Sequence, residues 1–207
     1  MAVFRTEIGL QFVTHLANQH TLPDLVRFAA LACDRGFEQI WVNDNLRYRS
    51  QIVVLTAIAA RVPIRIGTAI LVPYFHNPMD VADVLASLSE LCDGREIGVG
   101  LARGDLGQSP QHVEILKPIA MVRETAEFLR RALSGDEVAY ADYPLLQHYY
   151  RLNSKGKFRL AFAPRSSFRV YGGGNGPQPG ACHKCWRKPM KRPGRPGPES
   201  GCARSAS

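Results

Sequence analysis

The chain has no run of 18 uncharged apolar residues, and its first 20 residues lack both the basic flank and the small-residue cleavage site of a signal peptide. A soluble, cytoplasmic protein without a membrane partner is therefore expected. No G-x-G-x-x-G follows the first strand-like run, Ile8 to Val13; the loop there reads Thr14-His-Leu-Ala-Asn, which argues against an open dinucleotide-binding sheet. His15, His20, His76 and His112 fall in loop-like segments with no Ser or Cys nucleophile pattern beside them, so none is assigned a catalytic role. The largest absence lies at the end: between Tyr171 and Ser207 there is no Ile, Leu, Val or Phe. Such a segment cannot bury enough surface to fold alone.

That same segment holds most of the chain's charge imbalance. It carries Lys184, Arg187, Lys188, Lys191, Arg192, Arg195 and Arg204 against Glu199, a net +6 of the total +8. The rest of the chain is close to neutral, which points away from a nucleic-acid partner for the body of the protein. Cys182-His-Lys-Cys185 has the spacing of a zinc half-site. A structural site needs four ligands, and only Cys202 and the interposed His183 remain nearby, so no metal site is expected. Of the five cysteines, Cys33 and Cys92 sit within helical apolar patterns, where a reduced and buried thiol is the natural reading.

The remaining residues repeat with a period of about 30. Strand-like runs at 8–13, 39–42, 64–71, 97–101 and 168–171 alternate with helical patterns at 22–35, 51–61, 79–91 and 117–133. Thr21 stands where a helix cap is needed, Pro23 and Asp24 suit a first turn, and Gly36 suits a stop. The strands are too far apart in sequence for hairpins and correctly spaced for parallel strands joined by covering helices. The fold class expected is α/β, with parallel βαβ units forming the first part of a (β/α)8 barrel. A complete barrel takes about 250 residues, so about five of its eight strands are present. Residues 138–162, with Tyr140, Tyr143, Tyr149, Tyr150 and Phe158, read as an insertion containing a small hairpin.

Four stretches carry a resemblance. They are Arg35-Gly-Phe-Glu-Gln-Ile-Trp-Val-Asn-Asp44, Arg65-Ile-Gly-Thr-Ala-Ile-Leu-Val-Pro-Tyr-Phe-His-Asn-Pro78, Leu88 to Arg95 leading into Ile97-Gly-Val-Gly100, and Arg103-Gly-Asp105 before Lys117-Pro118. In order and spacing they resemble the luciferase-like oxidoreductases, barrel enzymes that bind FMN or the deazaflavin coenzyme F420. Within that family the methylene-tetrahydromethanopterin reductase type is the most similar. The resemblance covers about residues 5–177 and implies hydride or oxygen transfer to or from a small organic substrate, with a possible homodimer. An alternative is a non-catalytic remnant that binds a cofactor or partner.

Carried over by position, the resemblance implies catalytic roles for Asp44, the acidic position of the ring pocket, and for Asp105, near the reacting face. Asn45 matches a ring-pocket position that is often histidine. Ala69-Ile70 matches the bulge behind the ring, commonly a non-prolyl cis peptide. Gly100 and Gly104 belong to the loop after the fourth strand, and Gly172, Gly173, Gly174 and Gly176 to the loop that receives the cofactor phosphate on backbone N–H groups. Each also has a plain structural reading: Asp44 as a helix cap, Ala69-Ile70 as barrel core, Asp105 as a solvated turn residue. In the family that glycine loop is followed by an Ala- and Leu-rich helix, whereas here the apolar periodicity stops at Pro177. The expected division is therefore a partial barrel at 1–177 and a disordered basic tail at 178–207, the reading frame having left its ancestral track near residue 177.

Overall fold

The computed structural model describes residues 8–12, 19–104 and 112–173. Five strands form one sheet: β1 (Gly9–Phe12), β2 (Gln39–Val42), β3 (Arg65–Leu71), β4 (Ile97–Leu101) and, after the insertion, β7 (Phe168–Gly172). Every neighbouring pair is parallel, and the spatial order is β1-β2-β3-β4-β7. A doubly wound sheet reverses its strand order at a switch point. Here spatial order follows chain order throughout, as it does around a parallel barrel.

Between the strands run α1 (Leu22–Asp34), α2 (Gln51–Ala59), α3 (Pro78–Ser89) and α4 (Pro118–Leu133). Thr21 and Asp24 form a reciprocal capping box at the start of α1, and Asn77 caps α3 through the N–H of Met79. Gly36 and Gly135 follow α1 and α4 at φ +85° and +87°, values that an L side chain rarely adopts. The boundaries lie within two residues of the expected ones, except that the end of the third helix tightens into a 3-10 turn at Glu90–Cys92.

The insertion differs more from expectation. Its hairpin is reduced to β5 (Val138–Ala139) and β6 (Lys157–Phe158), antiparallel and two residues each, with a helix, α5 (Pro144–Tyr150), between them. The N–H groups of Leu145 and Leu146, unsatisfied at the start of α5, donate to Glu124 on α4. This is how an aromatic-rich segment with little periodicity acquires a helix: its caps come from elsewhere in the fold.

Strand residues of one parity, among them Phe12, Ile40, Val42, Ile66, Ile97, Val99, Leu101, Phe168 and Val170, are buried and share one core with the apolar faces of the helices. Leu25, Leu55, Leu85 and Phe128 are fully buried within it. Truncating any one of these would cost about 2–5 kcal/mol. Cys92 is a free, buried thiol, pushed up to about 11 by burial. Cys33, 3% exposed, is as deeply buried in the same core. Among the described residues no helix is long and apolar enough to cross a membrane. The tail at 178–207, with its cysteine pair, lies outside the described residues.

Candidate active site

The opposite face of the sheet carries glycines on three of its strands. Gly9, Gly67 and Gly98, on three different strands, lie beneath the indole of Trp41, and a Cβ at Gly67 or Gly98 would fall within 2.5 Å of its ring. The glycines are what let a single large side chain lie flat across neighbouring strands. Tyr171 meets Trp41 edge to face at 5.5 Å. Above them opens a groove of about 370 Å³, lined by Gly9, Gln11, Trp41 and Thr68, by Ala69 and Ile70, and by Gly100 and Tyr171 to Gly173. It lies toward the carboxyl ends of the strands, where parallel-barrel sites form.

The Ala69-Ile70 peptide is cis, and the β3–β4 register shifts between Thr68 and Leu71 to admit it. Its carbonyls are held from several sides. Ala69 O accepts from Gln11 Nε2 at 2.7 Å. Ile70 O accepts from the Asp44 N–H at 3.0 Å and from Gln51 Nε2 at 3.3 Å. Gln51 is 3% exposed and also donates to Val42 O at 2.5 Å, so one amide on α2 ties the ends of β2 and β3 together. Across the bulge, Gly100 has no room for a side chain: a Cβ there would lie 2.4 Å from Thr68 O.

Asp44 follows β2 and turns inward, its side chain 7% exposed. Oδ2 accepts from the Val72 N–H at 3.1 Å and pairs with His76 Nε2 at 2.8 Å. His76 is fixed at its backbone as well, where its carbonyl accepts from Tyr150 Oη at 2.7 Å; the same hydroxyl also contacts Pro73 O. The loop after β3 is thus gripped by a carboxylate on one side and by the insertion helix α5 on the other. Burial pushes the Tyr150 phenol well above its usual range and Tyr74 up to about 12, so both hold their hydroxyls as donors. Tyr74 donates to Leu116 O at 2.7 Å, tying the same loop to the approach to α4.

Of the residues expected at the site, Ala69, Ile70, Gly100, Gly172 and Gly173 come together around one groove. Gly173 donates its N–H to Leu101 O at 2.8 Å, which keeps the chain close to β4 beyond the end of β7. Asp44 stands behind the bulge rather than in the groove lining, with Asn45 half-buried beside it in the same loop. Gly104 adopts φ +92° after β4. Asp105, Gly174 and Gly176 lie outside the described residues. The sequence pattern did not single out Gln11, Gln51 or Trp41, and His76 was named there only as a loop histidine with no catalytic role assigned. A polar residue at the head of an otherwise apolar helix was the one local signal for Gln51.

This glycine-rich groove lies at the strand ends of an all-parallel sheet, in an α/β protein of barrel type. Residues 7–178 match the luciferase-like monooxygenase family, and the chain belongs to that family. It is 26% identical over 175 residues to the 5,10-methylenetetrahydromethanopterin reductase of Archaeoglobus fulgidus, covering 83% of this chain and 48% of that protein. Among solved structures, the coenzyme F420 dependent tetrahydromethanopterin reductase of Methanopyrus kandleri superposes with a TM-score of 0.61 at 22% identity, over 83% of this chain and 51% of the other. The oxygenating constituent of 3,6-diketocamphane monooxygenase of Pseudomonas putida, in complex with FMN, gives 0.57 at 16% identity, over 78% and 51%. The chain spans about half the length of these relatives.

Proposed function

We propose that the groove holds the ring of FMN or coenzyme F420 against Ala69-Ile70, and that the chain is an oxidoreductase or monooxygenase acting on a small organic substrate. The observation that carries this reading is the bulge itself, with both its carbonyls fixed and its side toward the groove lined by backbone. Such a surface is held in place by the fold and sets aliphatic and aromatic side chains beside a few polar groups, which suits an aromatic ring. Hydride or oxygen chemistry is supplied by the cofactor when bound. The similarity to an F420-dependent reductase and to an FMN-containing monooxygenase supports the two candidate rings.

The protein's own groups have narrower tasks. Trp41 and Tyr171 form an apolar floor that excludes water from beneath a ring. Gly100, Gly172 and Gly173 keep the backbone low enough for close approach. By the family resemblance, Gly174 and Gly176 are assigned to the cofactor phosphate, and Asp105 is kept as a catalytic acidic residue. Asp44 and His76 form the proton-holding pair. Asp44 Oδ2, which can only accept, orients the imidazole through Nε2 and leaves Nδ1 as the ring's other nitrogen. A homodimer remains part of the reading.

The test is to purify the chain, add FMN and F420 in turn, and follow binding by fluorescence and turnover by absorbance. Micromolar binding of either ring is expected. Binding without turnover supports the alternative of a cofactor-binding remnant, and absence of binding to both rings refutes the proposal.

A further inference from the structure

Gln11 lies exposed on β1 at the wall of the groove. Its Nε2 is committed to Ala69 O at 2.7 Å. A carbonyl can only accept, so this contact sets the amide's orientation chemically: nitrogen toward the bulge, oxygen away from it. Among the described residues no donor meets Oε1. The neighbouring Ile70 carbonyl is already taken by the Asp44 N–H and Gln51, so it cannot serve as the acceptor at this wall. Gln11 Oε1 is therefore a fixed acceptor without a donor among the described residues, beside the surface on which the ring is proposed to lie.

We infer that Gln11 is a ligand-reading residue whose Oε1 accepts the imide N–H of the bound ring. The inference rests on the proposed function. A ring carbonyl would set lone pairs against lone pairs at this position, whereas an imide N–H completes the amide's hydrogen bonding. Isoalloxazine and deazaflavin both carry such a group on their pyrimidine edge. Gln11 thus ties ring recognition to the bulge through one amide: its nitrogen holds Ala69 and its oxygen reads the ligand.

The test titrates the full 207-residue chain with FMN and with 8-hydroxy-5-deazaflavin, each against its N3-methylated form, by ring fluorescence. Whichever ring binds should lose about three- to tenfold in affinity on methylation, the effect of one neutral hydrogen bond. In Gln11→Met, which fills the same space without donor or acceptor, the parent ring should bind more weakly and the methylated and unmethylated forms equally. Equal affinities in the wild-type chain, or a methylation penalty that survives in Gln11→Met, overturn the inference. The wild-type comparison decides even if the variant does not fold. Binding of both parent rings absent altogether is a failure of the proposed function, and this inference falls with it.

Discussion

Two glycines one pleat apart on β4 should respond differently to the same added methyl. At Gly98 a Cβ would lie 2.4 Å from Trp41 Cη2 and 2.8 Å from Cζ3, with Gln39 Nε2 at 3.0 Å. All three are side-chain atoms, and the indole borders an open groove into which it can tilt. At Gly100 the Cβ would lie 2.4 Å from Thr68 O, and 3.5 Å from the carbonyl carbon of the same residue. Backbone oxygen would have to retreat by at least 0.6 Å to reach even the 3.0 Å that real Cβ atoms respect. Thr68 is pinned on the other side, because its Oγ1 donates to Gly100 O at 3.1 Å and it pairs with both Val42 and Val99. Gly100→Ala should therefore cost about 2–3 kcal/mol, the upper part of the overpacking range, and Gly98→Ala about 1 kcal/mol or less. For a chain of this size that is a fall in Tm of roughly 4–12 °C against about 2–4 °C or less. Trp41 fluorescence should shift in Gly98→Ala and stay unchanged in folded Gly100→Ala, whereas ring affinity should fall in Gly100→Ala because the displaced Thr68 carries the bulge with it. Calorimetry, tryptophan emission and ring titration on the two variants read all three. Equal melting points, or an emission shift confined to Gly100→Ala, would refute the idea that side chain yields at one position and backbone resists at the other.

Removing the Tyr150 hydroxyl with Tyr150→Phe should cost about 1 kcal/mol and speed amide exchange in the 72–77 loop, since the hydroxyl contacts both Pro73 O and His76 O; unchanged protection there would show that α5 does not brace the loop. In Asp44→Asn the amide oxygen should take the Oδ2 position, because that one atom faces both the Val72 N–H and His76 Nε2, so both contacts and the proton on Nε2 should be retained while the negative charge is lost. Nitrogen-15 shifts of His76 report the tautomer directly, and a proton moved to Nδ1 would show that the Val72 N–H does not set which amide atom faces the imidazole. Burial raises Cys92 to about 11 from 9.0, so the unfolded chain loses its proton first as pH rises. The stability due to the protonated thiol is complete below pH 9 and lost by about 11, amounting to at most about 2–3 kcal/mol. Cys92→Ala should flatten that alkaline decline in chemical denaturation, and a profile as steep as the wild type would assign the decline to other groups. Tyr74, raised to about 12, adds a further loss at still higher pH in both proteins.

What the sequence conveyed was local, and what it withheld depends on strands meeting. The alternation of strand and helix was readable because each helix carries its own start and stop: Thr21 with Asp24, Asn77 before Pro78, Gly36 and Gly135. Helix α5 was missed because its N-terminal N–H groups are satisfied by Glu124, about 20 residues away on another helix, and nothing within 144–150 announces a cap. The cis peptide was anticipated from a family resemblance and is present, but the groups that hold it could not be anticipated in the same way. Gln11 reaches Ala69 across 58 residues and His76 reaches Asp44 across 32, distances that only the parallel register closes. Period-two alternation says which residues of one strand share a face. It does not say that Gly9, Gly67 and Gly98 lie under one indole, because that requires knowing that β1, β3 and β4 all lie near β2. The site therefore became legible only at the level of the sheet. A residue such as Gln11, unremarkable in its own strand, acquires a role because the neighbouring bulge fixes its nitrogen and thereby presents its oxygen.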